Sequence, residues 1–584
     1  MNLTRLLQMS PAEIGMRAQQ AFSKRWSKPP ACRLIESCAV PACPALPPLA
    51  SLDEAERICQ HRFDLLGYKN LNFGTPIDWH FDPVHNKRAP RKPWYQIPFL
   101  DFDQIGDHKI IWELNRHQHL VTLALACFRD EILAQWTHWQ SENPYPIGIN
   151  WSSTLEVAFR AMSWLWVRHL IGDFHPALIP ALHLHGWYIE RFLSTYFSPN
   201  THLLGEGVAL FSIGLLCPQI ADAPRWRSRG WKIVLQQAET QVRPDGFHFE
   251  QSVYYHIYAL DFFRFARDLA AINALPIPPS FDRTIEKMSE ALAALSQAGR
   301  APNFGDDDGG RVVGSPPRLV APSPPRSIAL PSAGIYAMAS ANSQLFIDAG
   351  PQGAHTAGHG HADALSIQLV TAGRPIMIDP GTFCYVCPER DRFRGTAAHN
   401  TLQVDGRDQA RPHGPFAWTG IPETTVDRWQ MGETFDFFAG HHNGYDPVIH
   451  HRWVFSLKNK FWMVRDLVTG IGRHRLDIHW HYLDERDVAI LPPTGHNWSR
   501  SVERWDWSSV YGGKKPAFVL RFSTETALPA DFAVLLVPGA PGTFTQTAPS
   551  AYRYDEPQAS HEFIFGDRFI YRATGPAGAT EFSL

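Results

Sequence analysis

The spacing of apolar residues divides the chain into two halves with different periods. In the first half, apolar side chains recur every three or four residues, which is the spacing of amphipathic helices. The predicted helices cover 118–139, 151–170, 177–196, 207–220, 257–272 and 283–298. Loops between these segments contain Pro, Gly and Asn. Consecutive helices are therefore predicted to stack as hairpins, in a solenoid or a closed toroid.

In the second half the apolar period becomes two, after a Pro- and Ser-rich stretch at 312–333 that cannot continue a helix. The predicted strands cover 345–349, 366–370, 375–379, 401–405, 452–457, 461–466, 475–482, 532–537, 562–565 and 568–572. Two pairs of these strands, 452–457 with 461–466 and 562–565 with 568–572, are separated by turns short enough for hairpins. The pattern predicts an α+β multidomain fold, with helical hairpins first and a stacked antiparallel β structure second.

A chain of 584 residues is too long for one ordinary core, so we expect more than one domain. We expect a helical extension at 1–50 and a helical toroid domain at 51–315. A Pro-rich linker at 316–333 then leads into an antiparallel β-sandwich domain at 334–584.

Charge and hydropathy exclude several classes of protein. The formal net charge of −3 argues against a nucleic-acid binder that depends on a large basic excess. The most apolar stretch, 203–220, contains Glu206 and is predicted to be a buried helix, so we expect no membrane span. The first residues lack the apolar core of a secretory signal, which predicts a soluble cytoplasmic protein, with a periplasmic one as the alternative. A homo-oligomer is compatible with this composition.

The eight cysteines do not have the spacing of a disulfide scaffold. Cys384 and Cys387 form one C-x-x-C pair, which alone is a weak signal of zinc or redox chemistry. The 20 Trp, 36 Phe and 28 His are more distinctive, because aromatic and histidine side chains suit a sugar-binding cleft with acid–base or metal chemistry.

Two polar clusters lie in the helical half. In SPNTHLLGEG, His202 and Glu206 are four residues apart and share a face of a helix, while Asn200 is also a simple helix cap. In DGFHFEQSVYYH, histidines and tyrosines including His248 and Tyr255 surround Glu250, although aromatic residues at helical spacing also form ordinary cores.

Three further clusters follow along the chain. The acidic run in NFGDDDGGR lacks the spacing of an EF-hand, so we predict a rigid turn that pairs with arginines. In HTAGHGHADALS and downstream, His361, Asp379 and His399 make a two-histidine, one-carboxylate zinc set; separately satisfied polar residues are the alternative. In RDRFRGTAAHN, Arg392 and Arg394 could grip a carboxylate or could belong to a solvated loop.

Together these stretches resemble the heparinase II/III family of polysaccharide lyases. The matching segments are GINWSSTLEVAFRAMSWLW, NTHLLGE, DGFHFEQSVYYH, FGDDDGGR, HGHADALS and FRGTAAHNTLQVDG, in the family's order. The resemblance implies an incomplete (α/α) toroid followed by antiparallel β-sheets, in agreement with the change of period. It also implies an acidic polysaccharide substrate.

The resemblance implies roles for individual residues. Tyr255 matches the tyrosine that gives or takes the proton, and His359 matches the histidine of the H-G-H motif. His202 matches a histidine of the sugar site. The family's Asn often directly precedes that histidine, whereas here Thr201 intervenes after Asn200. His361, Asp379 and His399 match the ligands of a zinc ion that we predict to be structural. The remaining predicted substrate-binding residues are Glu206, His248, Glu250, Arg392 and Arg394.

The predicted activity is β-elimination at a uronic acid, with Asn200 and His202 neutralising the carboxylate and Tyr255 and His359 as acid and base. Cationic neighbours are expected to lower the pKa of Tyr255. One alternative is a glycoside hydrolase using two carboxylates from Glu206, Glu250 and Asp306. Another is a non-catalytic protein that binds a bacterial exopolysaccharide during its biosynthesis.

Overall fold

The structure is a computed structural model. It describes residues 9–37, 39, 41–44, 51–313, 324–484, 487–539, 541–576 and 578–584. Parts of the predicted N-terminal extension and of the predicted linker, residues 1–8, 45–50 and 316–323, lie outside the described residues.

Helices dominate the first half of the described chain. They are α1 Pro11–Trp26, α2 Leu52–Cys59, α3 Phe102–Ile105, α4 His108–Asn115, α5 Gln118–Leu125, α6 Arg129–Glu142, α7 Thr154–Ile171, α8 Leu178–Arg191, α9 Thr201–Leu216, α10 Ala223–Gln241, α11 Val253–Ile272 and α12 Pro279–Leu295. Two short hairpins lie among them, β1 Arg62–Leu65 with β2 Tyr68–Asn72 and β3 Phe81–Asp82 with β4 Lys87–Arg88.

Neighbouring long helices pack closely because small residues face each other. A Cβ atom on Gly214 of α9 would lie 2.2 Å from the backbone nitrogen of Arg227 in α10. A Cβ atom on Gly230 of α10 would lie 2.3 Å from the backbone nitrogen of Phe211 in α9. The two backbones therefore approach more closely than larger side chains would allow, and the predicted stacking of helices is confirmed.

One predicted helix was wrong in extent. The apolar pattern of 118–139 continues across a break, where α5 ends at Leu125 and α6 begins at Arg129. Cys127 at this break has a φ of 64°, a left-handed conformation that a helix cannot contain. Periodicity does not detect such a break, because the apolar positions on both sides still face the same core.

The second half consists of three stacked antiparallel sheets. The first contains β5 Ile328–Leu330, β6 Ile335–Ser340, β7 Ser343–Asp348, β8 Ile367–Thr371, β9 Arg374–Met377, β10 Leu402–Val404, β17 Arg473–Tyr482, β19 Ser499–Val510 and β20 Gly513–Ala527. The second contains β13 Thr424–Met431, β14 Phe435–Tyr445, β15 Val448–Leu457, β16 Phe461–Thr469, β18 Ala489–Leu491 and β21 Ala530–Val537. The third contains β22 Thr543–Ala548, β23 Ala551–Glu556, β24 Ala559–Phe565, β25 Phe569–Gly575 and β26 Gly578–Ser583.

Three smaller elements complete the β half. They are the hairpin of β11 Arg411–Pro412 with β12 Trp418–Thr419, and the short helix α13 Arg390–Arg394. Both predicted hairpins are confirmed, since Leu457 pairs with Phe461 and Phe565 pairs with Phe569. The order of helices followed by antiparallel sheets confirms the predicted fold class.

Separate apolar layers hold the sheets together. One core, which includes Ile347 and Trp480, lies between the first and second sheets. Another, which includes Phe455 and Tyr571, lies between the second and third sheets. The first sheet begins at β5, inside the segment that the sequence predicts as a linker.

The two halves meet at a shared apolar cluster. Phe247, Val253 and Phe304 of the helical half pack there against Ile335 and Phe346 of the first sheet. The start of α11 therefore lies directly against the β half. Among the described residues, no helix is both long enough and apolar enough to cross a bilayer.

Candidate active site

The candidate site forms where the start of α11 meets the loop between β7 and β8. Ser252 caps α11 by accepting a hydrogen bond of 3.0 Å from the backbone N–H of Tyr255. The Tyr255 ring stacks on His359 of the loop, with 3.8 Å between ring centroids and 20° between planes. Both side chains are buried, at 4% and 6% exposure. The structure thus brings together the two residues predicted as acid and base.

A second tyrosine completes this contact. Tyr385 lies in the loop after β9, and its hydroxyl shares a hydrogen bond of 2.8 Å with the hydroxyl of Tyr255. It stands between Cys384 and Cys387, which are joined in a disulfide. Sequence reasoning missed Tyr385, although the C-x-x-C pair around it was the available signal. The backbone N–H of Tyr385 donates to the hydroxyl of Tyr511.

Asp306 is the central acceptor of the site. Both oxygens of this fully buried carboxylate accept from the Arg390 guanidinium, at 2.5 and 2.7 Å. The same oxygens lie 3.1 Å from Nδ1 of His359 and 3.1 Å from Nε2 of His361. Asp306 therefore orients both histidines of the H-G-H motif. The predicted pairing of the acidic run with an arginine is confirmed here, whereas residues 303–311 form an irregular segment with one bend at Gly305 in place of the predicted turn. The neighbouring Asp308 binds Lys109 at 2.9 Å.

Asn200 is the helix cap, one of the two roles that the sequence left open. Its Oδ1 accepts from the backbone N–H of His202 at 3.1 Å, which caps α9, and its Nδ2 donates to Glu250 at 2.8 Å. The other oxygen of Glu250 accepts from the backbone N–H of Thr201. Glu250 also lies 3.5 Å from Nε2 of His359. One carboxylate therefore links the start of α9 to the stacked pair.

The three titratable groups of the site, Tyr255, His359 and His202, differ in the direction or the cause of their pKa shifts. Burial raises the pKa of Tyr255 well above its usual value, and the nearby carboxylate of Asp308 adds to this effect. The expectation that cations lower this pKa was therefore wrong, because burial raises it first and nearby carboxylates raise it further. Burial opposes charge on His359, yet the hydrogen bond with Asp306 and the charge of Glu250 raise its pKa. Burial, followed by the charge of His359, lowers the pKa of His202 to about 4.

The hydrogen bonds of Glu206 and His248 go to residues other than Tyr255 and His359. Both oxygens of Glu206 accept from Ser194, through its backbone N–H at 2.7 Å and its hydroxyl at 2.6 Å. Burial raises the pKa of Glu206 to about 8. His248 is fully buried and its Nε2 lies 3.0 Å from the side-chain oxygen of Gln241. Their predicted binding of substrate stays a prediction without a contact that supports it.

The two candidate arginines are held by other groups. Arg394 is fully buried and donates to Asp391 and to the carbonyl oxygens of two neighbouring residues. Arg392 donates to Asp506 at 2.9 Å and lies over the Trp505 ring. Both guanidinium groups therefore already donate to protein acceptors and are not free to bind a substrate carboxylate in this structure. Arg390, which sequence reasoning did not single out, is the arginine that reaches the centre of the site.

A buried cluster lies behind the H-G-H motif and matches a metal site. His361, Asp363, Asp379 and His399 present ligand atoms that all lie within 4.8 Å of one another. Nδ1 of His361, Oδ2 of Asp363 and Nε2 of His399 have no hydrogen-bond partner among the described residues. Buried polar atoms of this kind are normally satisfied, and a cation held by these residues would satisfy them.

The charge in this cluster supports the same interpretation. Burial raises the pKa of Asp363, with the charge of Asp379 adding to it. Burial also raises the pKa of the neighbouring Asp348 well above its usual value, with Asp363 as the next cause. Carboxylates crowded in the interior would be relieved by a divalent ion. The three predicted ligands are brought together, and Asp363 joins them as a fourth that the sequence reasoning missed.

Two protein-family models, one for each half, together match most of the chain. "Heparinase II/III N-terminus" matches residues 50–311, and "Heparinase II/III-like, C-terminal" matches residues 322–582. A heparin-sulfate lyase of Pedobacter heparinus is 24% identical over 561 residues, covering 83% of this chain and 79% of that protein. A heparin-sulfate lyase of Bacteroides stercoris is 21% identical over 500 residues, covering 73% of this chain and 69% of that protein.

Solved structures show the same fold. The crystal structure of heparinase III matches with a TM-score of 0.69 and 15% identity, covering 98% of this chain and 95% of that chain. A mutant heparan sulfate lyase from Pedobacter heparinus matches with a TM-score of 0.57 and 21% identity, covering 98% of this chain and 94% of that chain. These likenesses confirm a helical toroid followed by a β-sandwich.

Proposed function

The chain belongs to the heparinase II/III family and is a polysaccharide lyase, and we propose that it cleaves a uronate-containing acidic polysaccharide by β-elimination. The observation that carries this proposal is the stacking of Tyr255 on His359 at the junction of the two halves. Family membership alone gives the class of reaction, whereas this contact brings a phenol and an imidazole together at one place in the fold.

The chemistry sets three requirements. The C5 proton of a uronate is barely acidic, and its removal builds negative charge on the adjacent carboxylate. A lyase must therefore neutralise that carboxylate, accept the C5 proton and protonate the O4 leaving group. Each requirement calls for a group in a different state of charge.

The pKa shifts favour one division of these roles. Tyr255 keeps its proton because burial and carboxylates raise its pKa, so it suits donation to O4. His202 stays neutral because burial lowers its pKa to about 4, so it is available to accept the C5 proton, as a weaker base than an ordinary imidazole. His359, whose pKa is raised, carries positive charge more readily and suits stabilisation of the carboxylate together with the Asn200 amide. The sequence predicts Tyr255 and His359 as acid and base, whereas the pKa shifts favour His202 as the base.

The buried cluster is proposed to hold Zn²⁺ in a structural role. His361, Asp363, Asp379 and His399 would be its ligands, and four protein ligands would complete a tetrahedral site without an open position for water. When bound, the ion would join the loop that carries His359 to the segment before β10. Asp306 would orient His361 as an outer partner, through the contact to Nε2.

The alternatives have less support. A glycoside hydrolase needs two available carboxylates, but Asp306 is bound by Arg390 and Glu206 by Ser194. The pKa of Asp306 is held well below its usual range by Arg390, despite the opposing effect of burial, so it is a poor proton donor. No contact in the described residues favours an exopolysaccharide-binding role over catalysis.

The experiment is a lyase screen of purified protein on a panel of uronate polysaccharides, followed by the ultraviolet absorbance of the unsaturated product. We expect absorbance to rise on at least one polymer. Tyr255→Phe should lower kcat by about 100-fold or more, the range for loss of a positioned acid, while substrate binding is retained. A new reducing end without the double bond would contradict β-elimination.

A matched control is Tyr571→Phe in the third sheet. Its hydroxyl also makes a buried hydrogen bond, 2.8 Å from Nδ1 of His561, but it is far from the junction in the fold. This variant should keep the wild-type rate. Equal losses in both variants would show that the effect comes from disturbed packing rather than from catalysis.

A further inference from the structure

Two His-His dipeptides lie opposite each other in the second sheet. His441 and His442 are in β14, and His450 and His451 are in β15. The strands pair so that His441 faces His451 and His442 faces His450. Because successive side chains of a strand point to opposite faces, this register makes two histidine pairs, one on each face of the sheet.

In the first pair, His442 with His450, the ring nitrogens are engaged in hydrogen bonds. His442 and His450 are buried, with 3.0 Å between Nε2 of the first and Nδ1 of the second. Nε2 of His450 lies 2.7 Å from Asp466, which also binds Arg452. This pair has no ring nitrogen that could turn to a metal without breaking the network, so its role is structural.

The second pair, His441 with His451, lies on the opposite face of the sheet and has a different environment. His441 and His451 are only partly buried, and their ring centroids lie 5.3 Å apart. Nδ1 of His441 lies 3.0 Å from Asp427, and Nε2 of His451 lies 3.2 Å from the hydroxyl of Thr469. The opposite nitrogens, Nε2 of His441 and Nδ1 of His451, have no hydrogen-bond partner in the described part of the chain.

Asp427 reaches the pair because of a local irregularity in β13. The pairing with β14 shifts between Val426 and Arg428, so Asp427 is the extra residue of a β-bulge. Bulges re-aim a side chain relative to the regular alternation. The ligand atoms of Asp427, His441 and His451 all lie within 4.8 Å of one another.

We propose that Asp427, His441 and His451 bind a divalent transition-metal ion of the Zn²⁺ class on the face of the second sheet that is turned toward the third sheet. Two imidazoles and one carboxylate are a borderline-soft ligand set that suits this class, and three protein ligands leave a fourth position for water or another ligand. Thr469 orients His451 as an outer partner.

This site is independent of the buried cluster and of the proposed lyase activity. It shares no residue with His361, Asp363, Asp379 and His399. It is also more exposed, with 34% of the His441 side chain and 44% of the Asp427 side chain accessible. Substitutions there should leave the fold intact.

The test measures Zn²⁺ bound to the full-length, tag-free protein after chelator treatment, by calorimetric titration and by elemental analysis of the dialysed complex. We expect His451→Ala to bind one equivalent fewer than the wild type. Asp427→Asn should raise the dissociation constant of that equivalent at least about tenfold, the loss that even an outer partner of a ligand causes.

The matched control is His474→Ala. His474 also pairs with an aspartate, 2.8 Å from Asp405, but belongs to no cluster of three ligands among the described residues. It should bind as much Zn²⁺ as the wild type. Equal stoichiometry in the wild type and His451→Ala would overturn the site, as would a wild type that binds no Zn²⁺. An unchanged dissociation constant in Asp427→Asn would overturn the three-ligand set.

Discussion

Replacing Asp306 with asparagine tests the centre of the proposed active site. The change keeps the shape of the side chain and removes its charge. Arg390, 5% exposed, then loses the carboxylate that both of its terminal nitrogens contact at 2.5 and 2.7 Å. His359 and His361 lose the same charged acceptor. The variant therefore leaves a buried guanidinium without its counterion.

The expected loss is large. Removal of one partner of a buried ion pair lowers the free energy of unfolding by about 3–5 kcal/mol, because the remaining charge stays desolvated. Folded proteins are stable by only about 5–15 kcal/mol, so Asp306→Asn should be strongly destabilised. Because the pKa of Asp306 is depressed in the folded state, its contribution is present above its unfolded value of 3.8 and is lost as pH falls.

The assay is urea unfolding at neutral pH, followed by circular dichroism and tryptophan fluorescence. Asp555→Asn is the matched control, because Asp555 accepts two bonds from Arg553, at 2.9 and 2.8 Å, and both side chains of this pair are exposed to solvent. An exposed pair contributes at most about 1 kcal/mol, so this variant should unfold close to the wild type. The reasoning is refuted if both variants show the same small loss, since Arg390 would then not depend on Asp306.

Two other predictions concern groups outside this ion pair. Burial raises the pKa of Glu206 from 4.5 to about 8, so the folded state retains its proton and wild-type stability should fall as pH rises from 5 to 8. Glu206→Gln should remove that fall in thermal melts, whereas a wild type of constant stability over this range would contradict the shift. Replacing Cys384 and Cys387 with serine opens a closed loop of four residues and should lower stability by about 2 kcal/mol. Wild-type protein in reductant should have the same melting temperature as this variant. A variant that melts at the temperature of the oxidised wild type would show that the disulfide does not stabilise the fold.

Several parts of the fold were predictable from local pattern. The period of apolar residues indicated helices before strands, and the pairing of Leu457 with Phe461 followed from a short polar turn. These features depend on neighbours in sequence, which alternate between core and solvent with the period of the element. The break at Cys127 was missed because its left-handed backbone leaves the apolar pattern unchanged.

The candidate site was predictable only in part. Tyr255 and His359 were identified through motifs, and no spacing could show that their rings stack. Asp306 was predicted to pair with arginines, but its partner Arg390 and its two histidines come from later segments of the chain. Tyr385 carried no motif of its own apart from the cysteines that flank it.

The sequence by itself determined which elements form and which residue types were available for chemistry, because periodicity and side-chain identity are local properties. The tertiary structure decided which polar groups meet and which charge each one prefers. The phenol of Tyr255 keeps its proton because it is buried near Asp308, a residue far from it in the sequence. Burial and long-range charge arise only when segments distant in the sequence pack together, so no local pattern could have given the sign of that shift.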